Sequence, residues 1–206
     1  VTRTCTKRKP TNEEVSEGYE ADGTVGFTTL AAKLPEDQPF SGTHLVAARI
    51  ISLDYLWQEI RVKGGAYGAS LTFDENGTID FSSWRDPNPA RSFGTFAQAG
   101  QFLVNFVNSG HSLEKYQVSA LAKTEPARSP RQEVRFIRSL HFDGRTPKDL
   151  VRQRREILGT TPADLKAIGE ALTVISTKAS KCAFAKRTLL DPCGLKTICP
   201  IVPTAR

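Results

Sequence analysis

The residue types best suited to chemistry lie in one stretch, residues 56–89, which reads LWQEIRVKGGAYGASLTFDENGTIDFSSWRDPNP. Arg61 and Tyr67 stand on either side of the pair Gly64-Gly65. A guanidinium and a phenol hydroxyl are both hydrogen-bond donors, and a glycine turn between them lets them converge on one oxygen atom. The same spacing also fits a helix-end arginine paired with a carboxylate and a strand tyrosine packed in the core.

The histidines do not predict a metal site in this chain. A zinc peptidase needs two histidines one helical turn apart with a carboxylate base, as in H-E-x-x-H or H-x-x-E-H. Among His44, His111 and His141, only the segment H-S-L-E-K that begins at His111 approaches this pattern. Lys115 stands where the second ligand belongs, and an ammonium group cannot coordinate zinc. We therefore expect no metal ligand set in this chain.

Nucleophilic and phosphate-binding motifs are also missing from the sequence. There is no G-x-S-x-G segment, and the glycine-rich segment 63–68 lacks the Lys-Ser/Thr ending of a phosphate loop. The four cysteines form no C-x-x-C pair and have no neighbouring histidine; they are Cys5, Cys182, Cys193 and Cys199. We expect reduced thiols in the cytoplasm or an organelle matrix, not a secreted protein.

Composition fits a globular domain and favours neither a membrane nor a nucleic-acid partner. The chain has 206 residues, 39% of them hydrophobic, and a formal net charge of +6. No apolar run approaches the length of a membrane span, so no membrane partner is expected. A nucleic-acid-binding domain rests on the net charge alone. The basic cluster at 152–155 has no interleaved aromatic residues for base stacking, so no nucleic-acid partner is expected.

Hydrophobic periodicity and capping signals predict the elements that position the stretch 56–89. A strand is expected over Thr24–Leu34, with Val25, Phe27 and Thr29 on one face, and a buried helix over His44–Val62. A hairpin follows, with strands Tyr67–Phe73 and Thr78–Trp84 around Asn76-Gly77. Further helices are expected over 90–107 and after Ser112, Ser129, Thr146 and Thr161, before a closing strand over Lys181–Ala185.

This order of elements predicts an α+β fold, a mainly antiparallel sheet with helices packed on one face. Residues 1–16 are expected to be a polar lead-in, residues 17–185 the domain, and residues 186–206 an irregular tail rich in Pro, Thr and Cys.

The segment LWQEIRVKGGAYG, followed after a hairpin by WRDPNP, resembles the C-terminal half of pitrilysin-type inverted-zincin metallopeptidases, and in particular the presequence-protease branch. In that branch a similar R-x-x-G-G-A-Y-G segment precedes a hairpin and an S-Y-R-D-P-N segment, where this chain has Trp84 in place of tyrosine. The resemblance extends more weakly over residues 17–185.

The resemblance implies a function that this chain does not carry out alone. Such enzymes close two homologous α+β halves around a peptide, with zinc and the catalytic base in the N-terminal half. The C-terminal half contributes an arginine and a tyrosine, which match Arg61 and Tyr67. Both would stabilise the oxyanion that forms when water attacks the scissile carbonyl. Gly64, Gly65 and Gly68 would let the peptide backbone approach closely.

Two functions therefore stay open at this stage. In the first, the chain is the non-zinc half of a peptide-degrading zinc metalloendopeptidase, inactive without a zinc-bearing partner half on the same polypeptide or on a separate subunit. In the second, it is a non-catalytic assembly or peptide-binding subunit of the same fold. The presence of both Arg61 and Tyr67 favours the first.

Overall fold

The computed structural model describes residues 15–200, which contain six strands and seven helices in an α+β order, with five helices in succession between β4 and β5. The strands are β1 (Ser16–Glu20), β2 (Gly26–Lys33), β3 (Gly68–Phe73), β4 (Thr78–Asp86), β5 (Ser180–Ala185) and β6 (Thr197–Pro200). The helices are α1 (Gly42–Ile50, continued by Ile51–Val62), α2 (Pro89–Asn108), α3 (Glu114–Thr124), α4 (Pro130–Phe142), α5 (Pro147–Leu158), α6 (Pro162–Ile175) and α7 (Arg187–Leu190). Single 3₁₀ turns lie at Ser176–Lys178 and Asp191–Cys193.

The sheet has the strand order β3-β4-β2-β5-β1-β6. Strand pairs β3–β4, β4–β2 and β2–β5 are antiparallel, whereas β1 runs parallel to both β5 and β6. The predicted α+β class is confirmed, but the sheet is mixed at the β1–β6 side. The parallel pairs join strands far apart in sequence, so no turn motif in the sequence predicts that they run parallel.

Helices cover one face of the sheet and leave the other open. Leu30, Leu71 and Phe81 are buried on the covered face, where the Phe81 ring lies 5.4 Å from that of Phe96 on α2. Phe27 and Thr29 do share a face, but it is the open one, and Phe27 is 47% exposed. The apolar character of Phe27 suggests burial, but the strand register turns it outward.

Helix α1 joins the helical layer to the edge of the sheet. Its second part, Ile51–Val62, has the wider π-helical geometry, where we expected a regular α-helix. The Ser52 hydroxyl accepts a 3.0 Å hydrogen bond from the backbone N–H of Leu71 on the edge strand β3. Helix α1 therefore lies against β3 along its length and ends beside the start of that strand.

Part of the predicted irregular tail is regular. Helix α7 and strand β6 both lie within residues 187–200. Gly18 on β1 leaves room for this segment, since a Cβ there would lie 2.9 Å from the Leu195 side chain. The four-residue strand has no clear alternation of its own, so its pairing with β1 depends on tertiary packing. The boundaries at residues 16 and 185 remain predictions, and most of the predicted lead-in lies outside the described residues.

Among residues 15–200, no helix has both the length and the apolar composition needed to cross a bilayer.

Candidate functional site

The site lies where α1 ends and β3 begins. The N–H of Gly65 donates to the carbonyl of Arg61 at 2.9 Å, and Gly65 has φ +78°, a left-handed conformation that glycine adopts without a Cβ penalty. A Cβ on Gly64 would collide with the carbonyl oxygen of Ile60 in the last helical turn. This glycine pair therefore lets the chain leave the helix and enter β3 within a few residues.

Arg61 and Tyr67 are brought together across this turn. The Arg61 Nη1 donates a 2.5 Å hydrogen bond to the backbone carbonyl of Tyr67, and its Cζ lies 5.4 Å from the centre of the Tyr67 ring. The Tyr67 side chain is 59% exposed. The guanidinium thus holds the strand entrance in place, while the phenol beside it remains accessible from outside.

Gly68, the third glycine singled out from the sequence, has a different neighbour. A Cβ at this position would lie 2.5 Å from a ring carbon of Trp84 on the paired strand. The backbone N–H of Tyr67 also donates to the carbonyl of Trp84, at 3.2 Å. Each of the three glycines therefore has a packing or backbone reason to be small. Their expected role in admitting a peptide backbone stays a prediction.

Two further side chains, Trp57 and Arg85, lie beside Arg61 and Tyr67, and sequence reasoning missed both. We call these four residues the cationic cluster. The Arg61 Cζ lies 4.2 Å from the ring centre of Trp57, one helical turn earlier, and Trp57 is 41% exposed. The Arg85 Cζ lies 5.9 Å from the Tyr67 ring centre. The i, i+4 spacing of Trp57 and Arg61 was a usable signal. Nothing local to the sequence places Arg85 beside Tyr67.

The basic side chains around Tyr67 differ in whether they have an acidic partner. Lys63 and Arg91 both pair with Glu59, at 2.5 and 3.5 Å. Within the described part of the chain, neither Arg61 nor Arg85 has an acidic side chain at salt-bridge distance. The cluster therefore presents uncompensated positive charge next to an exposed phenol.

The W-R-D-P-N-P segment behind the cluster is anchored by a buried carboxylate. Asp86 is 1% exposed and accepts hydrogen bonds from the hydroxyls of Ser83 and Ser92, at 2.6 and 2.5 Å, and from the N–H of Asn88, at 2.8 Å. Asn88 in turn caps helix α2 through Arg91 N–H. The carboxylate thereby ties the end of β4 to the start of α2.

An aromatic row crosses the open face of the sheet from this end. Phe27 on β2 lies opposite Trp84 on one side and Phe184 on the other, and Phe184 lies beside Tyr19 on β1. Side chains at paired positions share a face, so the four rings lie on four adjacent strands. Phe27, Phe184 and Tyr19 are all exposed. The row gives the open face an apolar strip next to the cationic cluster.

Between residues 15 and 200, the other reactive groups form no second cluster like that of Arg61 and Tyr67. In residues 15–200, no group of three or more His, Cys, Asp and Glu side chains is placed to hold a metal ion, so these residues do not fit a zinc site. Burial, aided by the charge of Asp86, raises the pKa of the Cys193 thiol to about 11, so it is a poor nucleophile.

Comparisons with known proteins agree on one family. A family model described as the PreP C-terminal domain matches residues 34–186. Presequence protease 1, chloroplastic/mitochondrial, of Arabidopsis thaliana is 29% identical over 151 residues, which cover 73% of this chain and 14% of that protein. The chain spans 13–16% of the length of the curated relatives it matches.

Solved structures agree on the fold. The inactive domain of an M16 peptidase from Pseudomonas fluorescens matches with a TM-score of 0.57 at 18% identity, over 87% of this chain and 45% of that one. Pitrilysin matches with a TM-score of 0.57 at 14% identity, over 84% of this chain and 20% of that one. At these identities the likeness concerns the fold. The family model over residues 34–186, together with this fold, confirms the resemblance seen in the sequence.

Proposed function

This chain belongs to the PreP C-terminal domain family, and we propose that it acts as the non-zinc half of a zinc metalloendopeptidase that degrades peptides in a closed chamber. Its partner is a half that carries the zinc ligands and the catalytic base, on the same polypeptide or on a separate subunit. The observation that carries the proposal is the pairing of the Arg61 guanidinium with the exposed Tyr67 phenol at one turn.

The chemistry assigned to this pair is stabilisation of the tetrahedral intermediate. When water attacks a peptide carbonyl, its oxygen becomes negative, and preorganised donors at that oxygen lower the barrier. Arg61 has five N–H donors, and only Nη1 has a hydrogen-bond partner in the described chain, so donors remain for a substrate. Tyr67 offers a hydroxyl beside it. The aromatic row would contact apolar side chains of the same peptide.

A non-catalytic subunit of the same fold is the second candidate. It is favoured by the bond from Arg61 to the Tyr67 carbonyl, which by itself gives the arginine a structural role. In that case the chain would bind peptide or hold the assembly together, and neither side chain would touch the reacting carbonyl.

The test is a cleavage assay on the assembled enzyme, with this chain and a zinc-bearing half present together. The double variant Arg61→Ala with Tyr67→Phe should lower kcat by at least about a hundredfold, because both donors to the oxyanion are lost. Arg91→Ala and Tyr55→Phe are matched controls, since Arg91 pairs with Glu59 and Tyr55 stacks on Phe102. Unchanged kcat in the double variant would support the second candidate instead.

We also propose a reducing compartment, an organelle matrix or the cytoplasm. The similar presequence proteases carry mitochondrial or chloroplastic in their names. Three cysteines in the described chain are free thiols, namely Cys182, Cys193 and Cys199. Locating the native protein in cell fractions would test this assignment.

A further inference from the structure

Arg85 is the extra residue of a β-bulge. In the pairing of β2 with β4, Gly26 lies opposite Asp86 and Phe27 lies opposite Trp84, so Arg85 has no partner on β2. Bulges of this kind interrupt the alternation of a strand and redirect a side chain.

The bulge changes the direction in which Arg85 points. Ser83 is buried on the covered face and Trp84 lies towards the open face, so simple alternation would send the next side chain back into the core. The bulge leaves Arg85 exposed and places Asp86 in the core instead. An arginine is thereby kept on the surface next to Tyr67, where its Cζ lies 5.9 Å from the ring centre.

This arrangement imposes an unfavourable backbone conformation. Arg85 has φ +51°, and it is the one non-glycine residue with positive φ in the described chain. The left-handed region brings the Cβ of an L-residue close to the backbone, and glycine is its usual occupant in a bulge. The buried hydrogen bonds of Asp86 hold the neighbouring backbone in place. Strain kept at an exposed arginine points to a use of its side chain.

The charge distribution indicates what the side chain binds. Arg61 and Arg85 both lie within 6 Å of the Tyr67 ring centre, at 5.4 and 5.9 Å, so two like charges face one phenol. The nearby Lys63 and Arg91 both pair with the single carboxylate of Glu59, whereas no acidic side chain in residues 15–200 pairs with Arg61 or Arg85. Two guanidinium groups without acidic partners beside one exposed ring favour an anionic ligand.

We propose that Arg85 binds a carboxylate of the peptide whose scissile carbonyl is held by Arg61 and Tyr67. This inference rests on the proposed peptidase function and adds a preference among peptides. A planar guanidinium matches a carboxylate with two parallel hydrogen bonds. The carboxylate is either the C-terminus of the peptide or an acidic side chain near the cleaved bond.

The test compares four synthetic peptides in the assembled enzyme. The first has a free C-terminus and one glutamate, the second a C-terminal amide, the third glutamine in place of glutamate, and the fourth both changes. Wild-type enzyme should show a KM about tenfold higher for the peptide that lacks the recognised carboxylate, with kcat nearly unchanged. The second and third peptides identify which carboxylate Arg85 recognises.

Arg85→Gly is the informative variant because glycine adopts φ +51° easily, so the bulge is preserved without the guanidinium. It should remove the difference in KM between the peptides. Arg85→Asn, which also tolerates this conformation, should do the same, and Arg91→Ala should keep the wild-type preference. Fluorescence anisotropy of the labelled peptides, measured on the assembled enzyme after its zinc is removed by a chelator, gives the same comparison without turnover.

The outcomes separate this inference from the function on which it rests. An unchanged preference in Arg85→Gly overturns the inference, and so does an equal loss of kcat on all four peptides, which would make Arg85 a positioning residue for Tyr67. If the double variant of Arg61 and Tyr67 keeps full kcat while Arg85→Gly abolishes the preference, carboxylate binding stands and the catalytic proposal fails.

Discussion

At the N-terminal end of helix α1, the polar groups are bonded within the chain. The N–H of Gly42 donates to the Glu156 carboxylate at 2.7 Å, and the N–H of Ser41 donates to His44 Nδ1 at 3.1 Å. His44 is 6% exposed and lies between the rings of Phe40 and Phe73. A carboxylate at a helix N-terminus also interacts favourably with the helix dipole.

At the C-terminal end of the same helix, positively charged side chains lack acidic partners. Arg61 and Arg85 surround an exposed Tyr67 without an acidic partner in the described chain, and Arg85 is held in a left-handed conformation. At the N-terminal end, the hydrogen bonds within the fold are sufficient to explain why these residues are present, so a structural role is enough. The second end has donors and charge beyond those the fold uses, which is the pattern of a site completed by another molecule.

Among substitutions that test this difference between the two ends of α1, the largest expected effect is on catalysis. Arg61→Ala in the assembled enzyme should lower kcat by about 10² to 10³-fold, because a preorganised donor to the oxyanion is lost. The melting temperature of the chain should fall by only about 2–4 °C, since the bond that Arg61 donates to the Tyr67 carbonyl is a single exposed hydrogen bond. Steady-state kinetics and thermal unfolding on the same preparation check both parts. A large fall in melting temperature with kcat preserved would reverse the assignment.

At the other end, the expected effect is on stability. Glu156→Ala should lower the free energy of unfolding by about 1–2 kcal/mol, because the Gly42 N–H loses its charged acceptor. Chemical denaturation measures the change. Glu170→Ala, at an exposed position of α6, is the control and should have a much smaller effect. Equal losses in the two variants would contradict the role of Glu156.

The buried histidine should make this end sensitive to acid. Burial lowers the pKa of His44 below its ordinary value of 6.5, although Ser41 and Glu156 oppose the shift. The unfolded chain therefore binds the proton more readily, so stability present above about pH 6.5 is lost as the pH falls towards the folded pKa. Melting temperatures from pH 7.5 to 5 should fall more steeply for wild type than for His44→Gln. Parallel curves would remove His44 as the cause.

The smallest expected effect is a gain. Arg85→Gly should raise the free energy of unfolding by about 0.5–1 kcal/mol, because the strain of the left-handed conformation is released. The gain is reduced by the larger chain entropy that glycine loses on folding. Denaturation of the isolated chain measures it. If Arg85→Gly stabilises the chain but weakens peptide recognition, the C-terminal end of α1 serves binding at the expense of stability, unlike the N-terminal end. Destabilisation by this substitution would mean that Arg85 is needed for the fold.

Local signals predicted much of the fold because they act over a few residues. Ser129, Thr146 and Thr161 were each followed by proline and a third-position polar residue, and helices α4, α5 and α6 begin one residue after them. Asn76-Gly77 predicted the β3–β4 hairpin in the same way. The juxtaposition of Arg61 and Tyr67 was also accessible, since one glycine turn separates them.

The features that the sequence did not predict share a different cause. The outward face of Phe27, the parallel pairing of β1 and the strand β6 all depend on register between segments far apart in sequence. The bulge at Arg85 depends on β2, which lies more than 50 positions away in the chain, as the pairing of Phe27 with Trp84 shows. A single-residue slip in such a pairing reverses every side chain, and composition does not encode it.

From its residues alone, the chain specified the α+β class, the helix starts, the hairpin and the arginine and tyrosine around the glycine turn, because each follows from spacing or backbone preference within a few positions. Folding in three dimensions was needed to bring Trp57 and Arg85 to that turn, to expose the aromatic row and to leave the two arginines without acidic partners. Those features depend on which strands pair and in what register, a choice made by packing across the whole domain.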